Sequence, residues 1–306
     1  MRVAVVGEPT GWHVGRLYES LAARGHQAAV VRWSEIAAGV GPAPATGTAR
    51  GAACDSFSPP ALAMADAVLV RGMPGATASD VRLEEVVFRM DVLGRVAARG
   101  TRVINSPRSL ESAIDKYLSL ARLAAARLPV PRTLVVQDAA QVAEAWDTLG
   151  GDCVVKPLFG SRGRGLYRLD SRAALSAWLD LPETRQRPQA VVYLQEFIHH
   201  GGWDARLLVL GSDVFAMQRW AATGEWRTNI ARGGRAAPFA APQTWIDTAR
   251  RAAAVLETEI AGVDLVAAAD GSPVILEVNA VPGWQALETV TGIDIAARVV
   301  GYMEAG

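Results

Sequence analysis

Lysine is almost missing from this chain: of 31 basic residues only Lys116 and Lys156 are lysine, and the rest are arginine. A sequence that uses arginine everywhere else keeps the compact ammonium on its flexible stem at two places, which marks both for closer reading. Cysteine is equally scarce. Cys54 and Cys153 are too few for a disulfide framework, and neither has a partner at metal-ligand spacing; Cys153 precedes Val154 and Val155 and reads as a buried residue. Net charge is absent, 31 basic residues balancing 31 acidic ones, which argues against nucleic-acid or membrane-surface binding. No apolar run is long enough to cross a bilayer, and the chain opens on the strand pattern MRVAVVG rather than on a charged-then-apolar leader, so a soluble, cytoplasmic protein is expected. The first turn, GEPTGWHVG, lacks the G-x-G-x-x-G spacing of a dinucleotide site, and no internal repeat is visible.

The apolar pattern predicts an α/β chain of more than one lobe, since 306 residues exceed one compact core. Residues 2–7, 27–31, 67–70 and 102–104 read as strands alternating with helices at 14–24 and from Ser79 to about 99, the pattern of a mostly parallel sheet. Residues 37–60, rich in Ala, Gly and Pro, read as a loosely ordered surface excursion. Asn105-Ser106-Pro107 breaks the pattern and marks a lobe boundary. Beyond it come a helix at 110–127 carrying Lys116, strands at 133–136, 153–156, 166–169 and 191–195 with helices capped by Asp138 and Ser171, strands at 207–210 and 214–218, and a helix after Pro242.

The last two strands form the most informative stretch, GVDLVAAADGSPVILEVNAVPG at 262–283. Asp270-Gly271 signals a short hairpin turn; a two-residue turn there places Asp264 opposite Glu277, with Asn279 on the same face. Facing carboxylates repel across a ladder and call for a counterion, and oxygen ligands of this kind suit a hard divalent cation such as magnesium. Upstream, Lys156 leads into Gly160, Ser161, Gly163 and Gly165, a loop able to turn backbone N–H groups toward an anion; it is not a Walker loop, because the lysine precedes the glycines. Gln195-Glu196-Phe197-Ile198 ends a strand and can offer backbone groups to a purine edge while an apolar side chain covers the ring. The adjacent His199 and His200 read as solvent-exposed rather than as metal ligands. Arg219, Arg227, Asn229, Arg232 and Arg235 cluster in sequence, and arginine forks match phosphate and carboxylate oxygens.

With these motifs in hand the chain resembles the ATP-grasp carboxylate-amine ligases, and within them the RimK-like α-L-glutamate ligases. The likeness runs from about Asn105 to Ala297 through NSPRSLESAIDK, VVKPLFGSRGRG, LQEFI, WDAR, EWRTNIARGG, GVDL, LEVNAVPG and TGIDIA in order. It implies an ATP-grasp fold with a preceding parallel-sheet lobe at 1–105, a central lobe at 106–195 with the glycine-rich phosphate loop, and a C-terminal lobe at 196–306 with the magnesium site. It also implies roles. Lys116 and Lys156 would contact ATP phosphates beneath the 160–165 loop, Glu196 and Phe197 would form the adenine hinge, and Asp204 would lie near the ribose. Arg219, Arg227 and Asn229 would face the phosphoryl-transfer site, with Arg219, Lys156 and Asn229 as catalytic groups. Asp264, Glu277 and Asn279 would hold Mg2+ or Mn2+. The implied partners are L-glutamate and a carboxylate-bearing acceptor, for which Arg206, Arg232 and Arg235 are candidate anchors; nucleic acid and membrane are not expected, and a homo-oligomer stays open.

The implied reaction phosphorylates a carboxylate with ATP and displaces the phosphate with an amine, without a protein nucleophile. The loop form KPLFGSRGRG looks most like members acting on tetrahydromethanopterin-type cofactors. Ligation of another amino acid, glutamylation of a protein tail, and a non-catalytic ATP-binding regulator are the alternatives.

Overall fold

Apolar runs without polar alternation, such as those at 3–6 and 67–70, need cover on both faces, which a parallel sheet flanked by helices provides. The computed structural model describes residues 1–41, 56–75, 83–158, 165–186 and 191–306. In it β1 (Arg2–Val6), β2 (Gln27–Val31), β5 (Ala67–Val70) and β6 (Arg102–Ile104) form a parallel sheet in the order β2-β1-β5-β6, as the sequence pattern predicts. Of the expected excursion at 37–60, residues 42–55 lie outside the described residues, and the described ends pair with each other. It contains the antiparallel pair β3 (Ala37–Gly39) and β4 (Ser56–Ser58), and Phe57, its one aromatic residue, is buried beneath the guanidinium groups of Arg95 and Arg99. The predicted cap Ser79 lies outside the described residues; the helix there runs Leu83–Ala98.

The described chain divides into two units, residues 1–110 with 258–260 and 281–306, and residues 111–257 with 261–280. Residues 281–306, which the family resemblance assigns to a lobe at 196–306, cluster by contacts with the N-terminal sheet. Their helix Ile295–Ala305 buries Ile295, Val299, Val300 and Met303, and its Glu304 takes ion pairs from Arg24 and His26.

The second unit holds two largely antiparallel sheets. β7 (Thr133–Val136), β8 (Cys153–Lys156), β9 (Tyr167–Leu169) and β10 (Val192–Glu196) run in the order β7-β10-β8-β9. β11 (Trp203–Leu210), β12 (Asp213–Trp220), β13 (Arg235–Pro238), β14 (Ile260–Ala267) and β15 (Pro273–Asn279) run in the order β13-β12-β11-β14-β15, and Trp245 and Ala249 of the helix Gln243–Val255 fill the core against this sheet. Ser171 caps its helix as expected through Ala174 N, whereas Asp138, through Ala140 N, caps the 3-10 turn Ala139–Gln141 that leads into the helix Val142–Thr148.

Two local readings change. The single helix predicted at 110–127 is two, Pro107–Ile114 and Lys116–Ala125, because Asp115 leaves helical geometry (φ −86°, ψ 108°) and its carboxylate accepts from Tyr117 N and Leu118 N. Lys116 therefore opens a helix instead of riding in the middle of one. The C-terminal hairpin does place Asp264 opposite Glu277, but by another route. Ala268 N donates to Ser272 O and Gly271, at φ +82°, closes a three-residue loop, which alone would offset the register by one. A bulge restores it: Leu265 pairs with Ile275 and Asp264 with Glu277, so Leu276 is the extra residue.

Candidate active site

The bulge has a chemical consequence. Strand alternation would send Leu276 and Glu277 to opposite faces; with Leu276 inserted, both line one cleft of about 100 Å³ in the second unit. Its apolar wall comes from Val154, Leu166, Ile198, Val266 and Leu276 with the rings of Phe197 and Trp226, whose centroids are 5.8 Å apart in an edge-to-face arrangement. Its polar wall carries Lys156, Gln195, Asp204, Arg219, Arg227, Thr228, Asn229, Asp264 and Glu277. A lining of apolar and aromatic side chains together with charged ones suits a ligand that carries both a flat apolar ring and anionic groups.

The polar wall is built around Arg219, which is only 3% exposed. Its Nε and Nη2 donate to the two oxygens of Asp204 at 2.7 and 2.5 Å, and Nη2 also lies 2.9 Å from Asp264 Oδ2. Asp204 accepts as well from Thr228 Oγ1 at 2.6 Å. Arg206 grips Asp264 with a fork, Nε to Oδ1 and Nη2 to Oδ2, both 2.6 Å. Burial alone would raise the Asp264 pKa, but Arg206 and Arg219 outweigh it and hold the carboxyl down to about 2. Burial likewise opposes the charge on Arg219, and its two aspartates more than compensate, raising its pKa. The counterion demanded by the facing acids is therefore protein at Asp264. A carboxylate has about four lone-pair sites, and three are taken, so one on Oδ1 stays open to a cation.

Lys156 sits at the end of β8 with Nζ donating to Gln195 Oε1 at 2.6 Å. Burial lowers its pKa to about 8; Glu277 and Asp264 pull upward, and the charge of Lys116 pushes down. The chain's two lysines therefore converge electrostatically, although Lys116 does not itself line the cleft.

Other sequence candidates have partners within the protein or lie outside the cleft lining. Asp204 pairs with Arg219. Glu196 lines the cleft but gives its carboxylate to Arg132, Nε–Oε2 2.5 Å. Arg227 forks onto Glu225, whose carboxyl it holds down at about 2 through the side-chain hydrogen bonds, and Arg232 lies 3.9 Å from the same acid. Arg235 is exposed on β13. Asn279 pairs with Gly262 and is outside the cleft lining. Gly165 adopts φ +68°, where a side chain would be strained, while Gly160, Ser161 and Gly163 lie outside the described residues. Among the described residues no cluster of three His, Cys, Asp or Glu could hold a metal. A magnesium site here would draw on Glu277, the open Oδ1 position of Asp264 and the amide of Asn279, a hard oxygen set that fits the ion when phosphate oxygens complete it.

Sequence reasoning missed Trp226, Thr228, Leu276 and His200. Only Leu276 had a local signal, the third consecutive apolar residue of VIL in a strand that otherwise alternates. The expectation for the histidine pair divides. His199 is exposed, but His200 turns into the cleft wall, burial lowers its pKa, and its Nδ1 is enclosed without a partner. Tilted packing on Phe197, 5.5 Å between centroids, draws it inward. Cys153 is buried as expected, and burial pushes its thiol up to about 12. No helix among the described residues is long and apolar enough to cross a membrane.

Comparison with known proteins bears on this geometry. The RimK-like ATP-grasp domain family matches residues 113–303. A tetrahydromethanopterin:alpha-L-glutamate ligase of Methanosarcina acetivorans is 32% identical over 265 residues, covering 78% of this chain and 80% of that one. A probable alpha-L-glutamate ligase of Mannheimia succiniciproducens is 38% identical over 216 residues, covering 70% and 71%. Among solved structures, the ATP-grasp ligase PsnB complexed with its minimal precursor superposes with a TM-score of 0.75 at 27% identity, covering 99% of this chain and 98% of that one.

Proposed function

Because this chain belongs to the RimK-like ATP-grasp family of ATP-dependent carboxylate-amine ligases, we propose that it joins the amine of L-glutamate to an acceptor carboxylate at the expense of ATP. The observation that carries the reading is the cleft, in which Lys156 meets the Arg219 network and Glu277 beside apolar and aromatic side chains, with the charge of Lys116 close enough to act on Lys156. Glutamate is the element common to the names of the curated relatives.

In this assignment the base of ATP lies along Phe197, Ile198, Trp226 and Leu276, and its phosphates approach Lys156 and Lys116. Magnesium held by Asp264, Glu277 and Asn279 would neutralise phosphate charge when bound. An oxygen of the acceptor carboxylate attacks the γ-phosphorus, the bond to the β-phosphate oxygen breaks, and ADP departs. Arg219 stays cationic throughout, because two buried aspartates hold its proton, and so supplies a fixed charge for the transferring group. The glutamate nitrogen then attacks the acyl carbon, the carbon–oxygen bond to phosphate breaks, and the nitrogen loses a proton to give the amide. No protein nucleophile takes part.

The acceptor is a carboxylate on a larger molecule. The Methanosarcina relative suggests a tetrahydromethanopterin-type cofactor, and the precursor-bound PsnB structure favours, as a second reading, a peptide carboxylate. The deciding experiment incubates the protein with Mg-ATP, isotope-labelled L-glutamate and either a tetrahydromethanopterin-type cofactor or a peptide ending in glutamate, followed by mass spectrometry. We expect one acceptor to gain a labelled glutamyl group with equal release of ADP and phosphate. Tight nucleotide binding without turnover on either acceptor would replace this reading with a non-catalytic ATP-binding regulator.

A further inference from the structure

The parallel sheet of the first unit carries a charge that the cleft chemistry does not use. At the C-terminal end of β1 the backbone divides: Gly7 N donates to Val31 O on the β2 side, while Val6 O accepts from Arg71 N and Gly72 N on the β5 side. Strand order reverses at this point, the place where open parallel sheets form ligand crevices. Its floor is tight, and a side chain there would need its neighbours to give by a few tenths of an ångström. A Cβ on Gly7 would stand 3.0 Å from Val14 Cγ2 and 3.4 Å from the Arg71 carbonyl carbon.

Arg71 differs from the arginines of the second unit's cleft. Arg206, Arg219 and Arg227 each meet a carboxylate, whereas among the described residues Arg71 has only the Pro282 carbonyl, 2.8 Å from Nη2, and the face of Trp284, 4.1 Å from ring centre to guanidinium carbon. Burial lowers its pKa to about 9 with no acidic neighbour contributing. Its Nε is enclosed without a partner, and so is Nε1 of the fully buried Trp284. Among the described residues these are two of just three such orphaned side-chain atoms, and both are donors that can never accept. Trp284 is itself fixed by His13, whose Nε2 accepts from Trp284 N at 2.9 Å. Orphaned donors beside an uncompensated guanidinium are costly to bury, and an anion on the guanidinium offsets that cost. A planar carboxylate matches the guanidinium fork.

We propose that Arg71, with Trp284 and His13, forms a subsite for a substrate carboxylate that is not phosphorylated, carried either by L-glutamate or by the acceptor. The assignment rests on the ligase reading for the identity of the ligand, but its test needs no turnover. The full-length protein is labelled with nitrogen-15, and the indole resonance of Trp284, assigned with Trp284→Phe, is followed during titration with L-glutamate, glutarate or a peptide ending in glutamate. L-glutamate and glutarate shifting the resonance identify the amino acid as the source; the peptide alone doing so identifies the acceptor. Arg71→Met should abolish the shift, weaken that ligand at least tenfold and leave affinity for a non-hydrolysable ATP analogue within twofold. Where the ligase reaction proceeds, KM for the same substrate rises at least tenfold and KM for ATP stays within twofold. If Arg71→Met does not fold, Arg71→Lys decides by the same signal, with a severalfold loss expected because ammonium lacks the planar fork. An unmoved Trp284 resonance with all three probes, or binding unchanged in the variant, overturns the subsite. Carboxylate binding without amide formation keeps the subsite and removes the ligase reading instead.

Discussion

At the scale of single residues, the cleft is a set of charges whose positions are held by their own counterions. Arg219 and Asp264 are each buried, and each is kept ionised by the other and by Asp204 and Arg206. Lys156 is the exception, since burial opposes its charge more than Glu277 and Asp264 support it. A lysine whose folded pKa lies near 8, against a reference of 10.5, binds fewer protons folded than unfolded between those values. Its cost is therefore full below about pH 8 and fades as pH rises toward 10.5. Lys156→Met should accordingly raise stability by roughly 1–3 kcal/mol at pH 7, with the advantage shrinking between pH 8 and 10 while nucleotide binding is lost. Denaturant unfolding of both proteins across that range checks it; a variant less stable at pH 7 would contradict the sign. Lysine scarcity made this residue visible in the sequence, whereas nothing local announced Trp226 or His200, because each reaches the cleft by packing on Phe197.

At the scale of elements, the hairpin of β14 and β15 carries the clearest lesson. The facing of Asp264 and Glu277 was legible from Asp270-Gly271, but only because a longer loop and a bulge offset one another. The bulge places Leu276 in the cleft without displacing the acids. Deleting Leu276 should therefore leave a regular ladder with Asp264 still opposite Glu277, and a folded protein. The apolar wall loses one leucine, and partial loss of its burial, on the order of 1.5 kcal/mol, corresponds to about tenfold weaker nucleotide affinity. Calorimetric titration with an ATP analogue measures this; unchanged affinity would remove Leu276 from the ring contact. Asp115 teaches the same at a helix. As one more polar residue in an apolar rhythm it reads as interior, but its carboxylate can cap, and so it starts a second helix at Lys116.

At the scale of the whole molecule, the chain returns at its end to the sheet with which it began. Ile295, Val299, Val300 and Met303 are buried within the N-terminal unit, while Glu304 adds only partly exposed ion pairs to Arg24 and His26. Ile295→Ala should cost about 2–5 kcal/mol and reduce hydrogen-exchange protection in β1 and β5, whereas Glu304→Ala should cost less than about 1 kcal/mol. Equal costs, or loss of protection confined to β11 and β14, would refute the assignment of this helix to the N-terminal unit.

The strand and helix alternation, the parallel sheet and the motifs of the ligase family were legible in the order of residues, because hydrophobic period, caps and glycine turns act over a few residues. Residues such as Lys156, Arg219, Asp264 and Glu277 stood out for the same reason: their types are conspicuous against their neighbours. Only the tertiary structure decided that Asp204 pairs with Arg219, that Arg206 closes on Asp264, and that Arg71 lies over Trp284, 213 positions away in sequence, without an acid. Those pairings depend on distance through space and on exclusion of water, and neither quantity is written in the local order of residues.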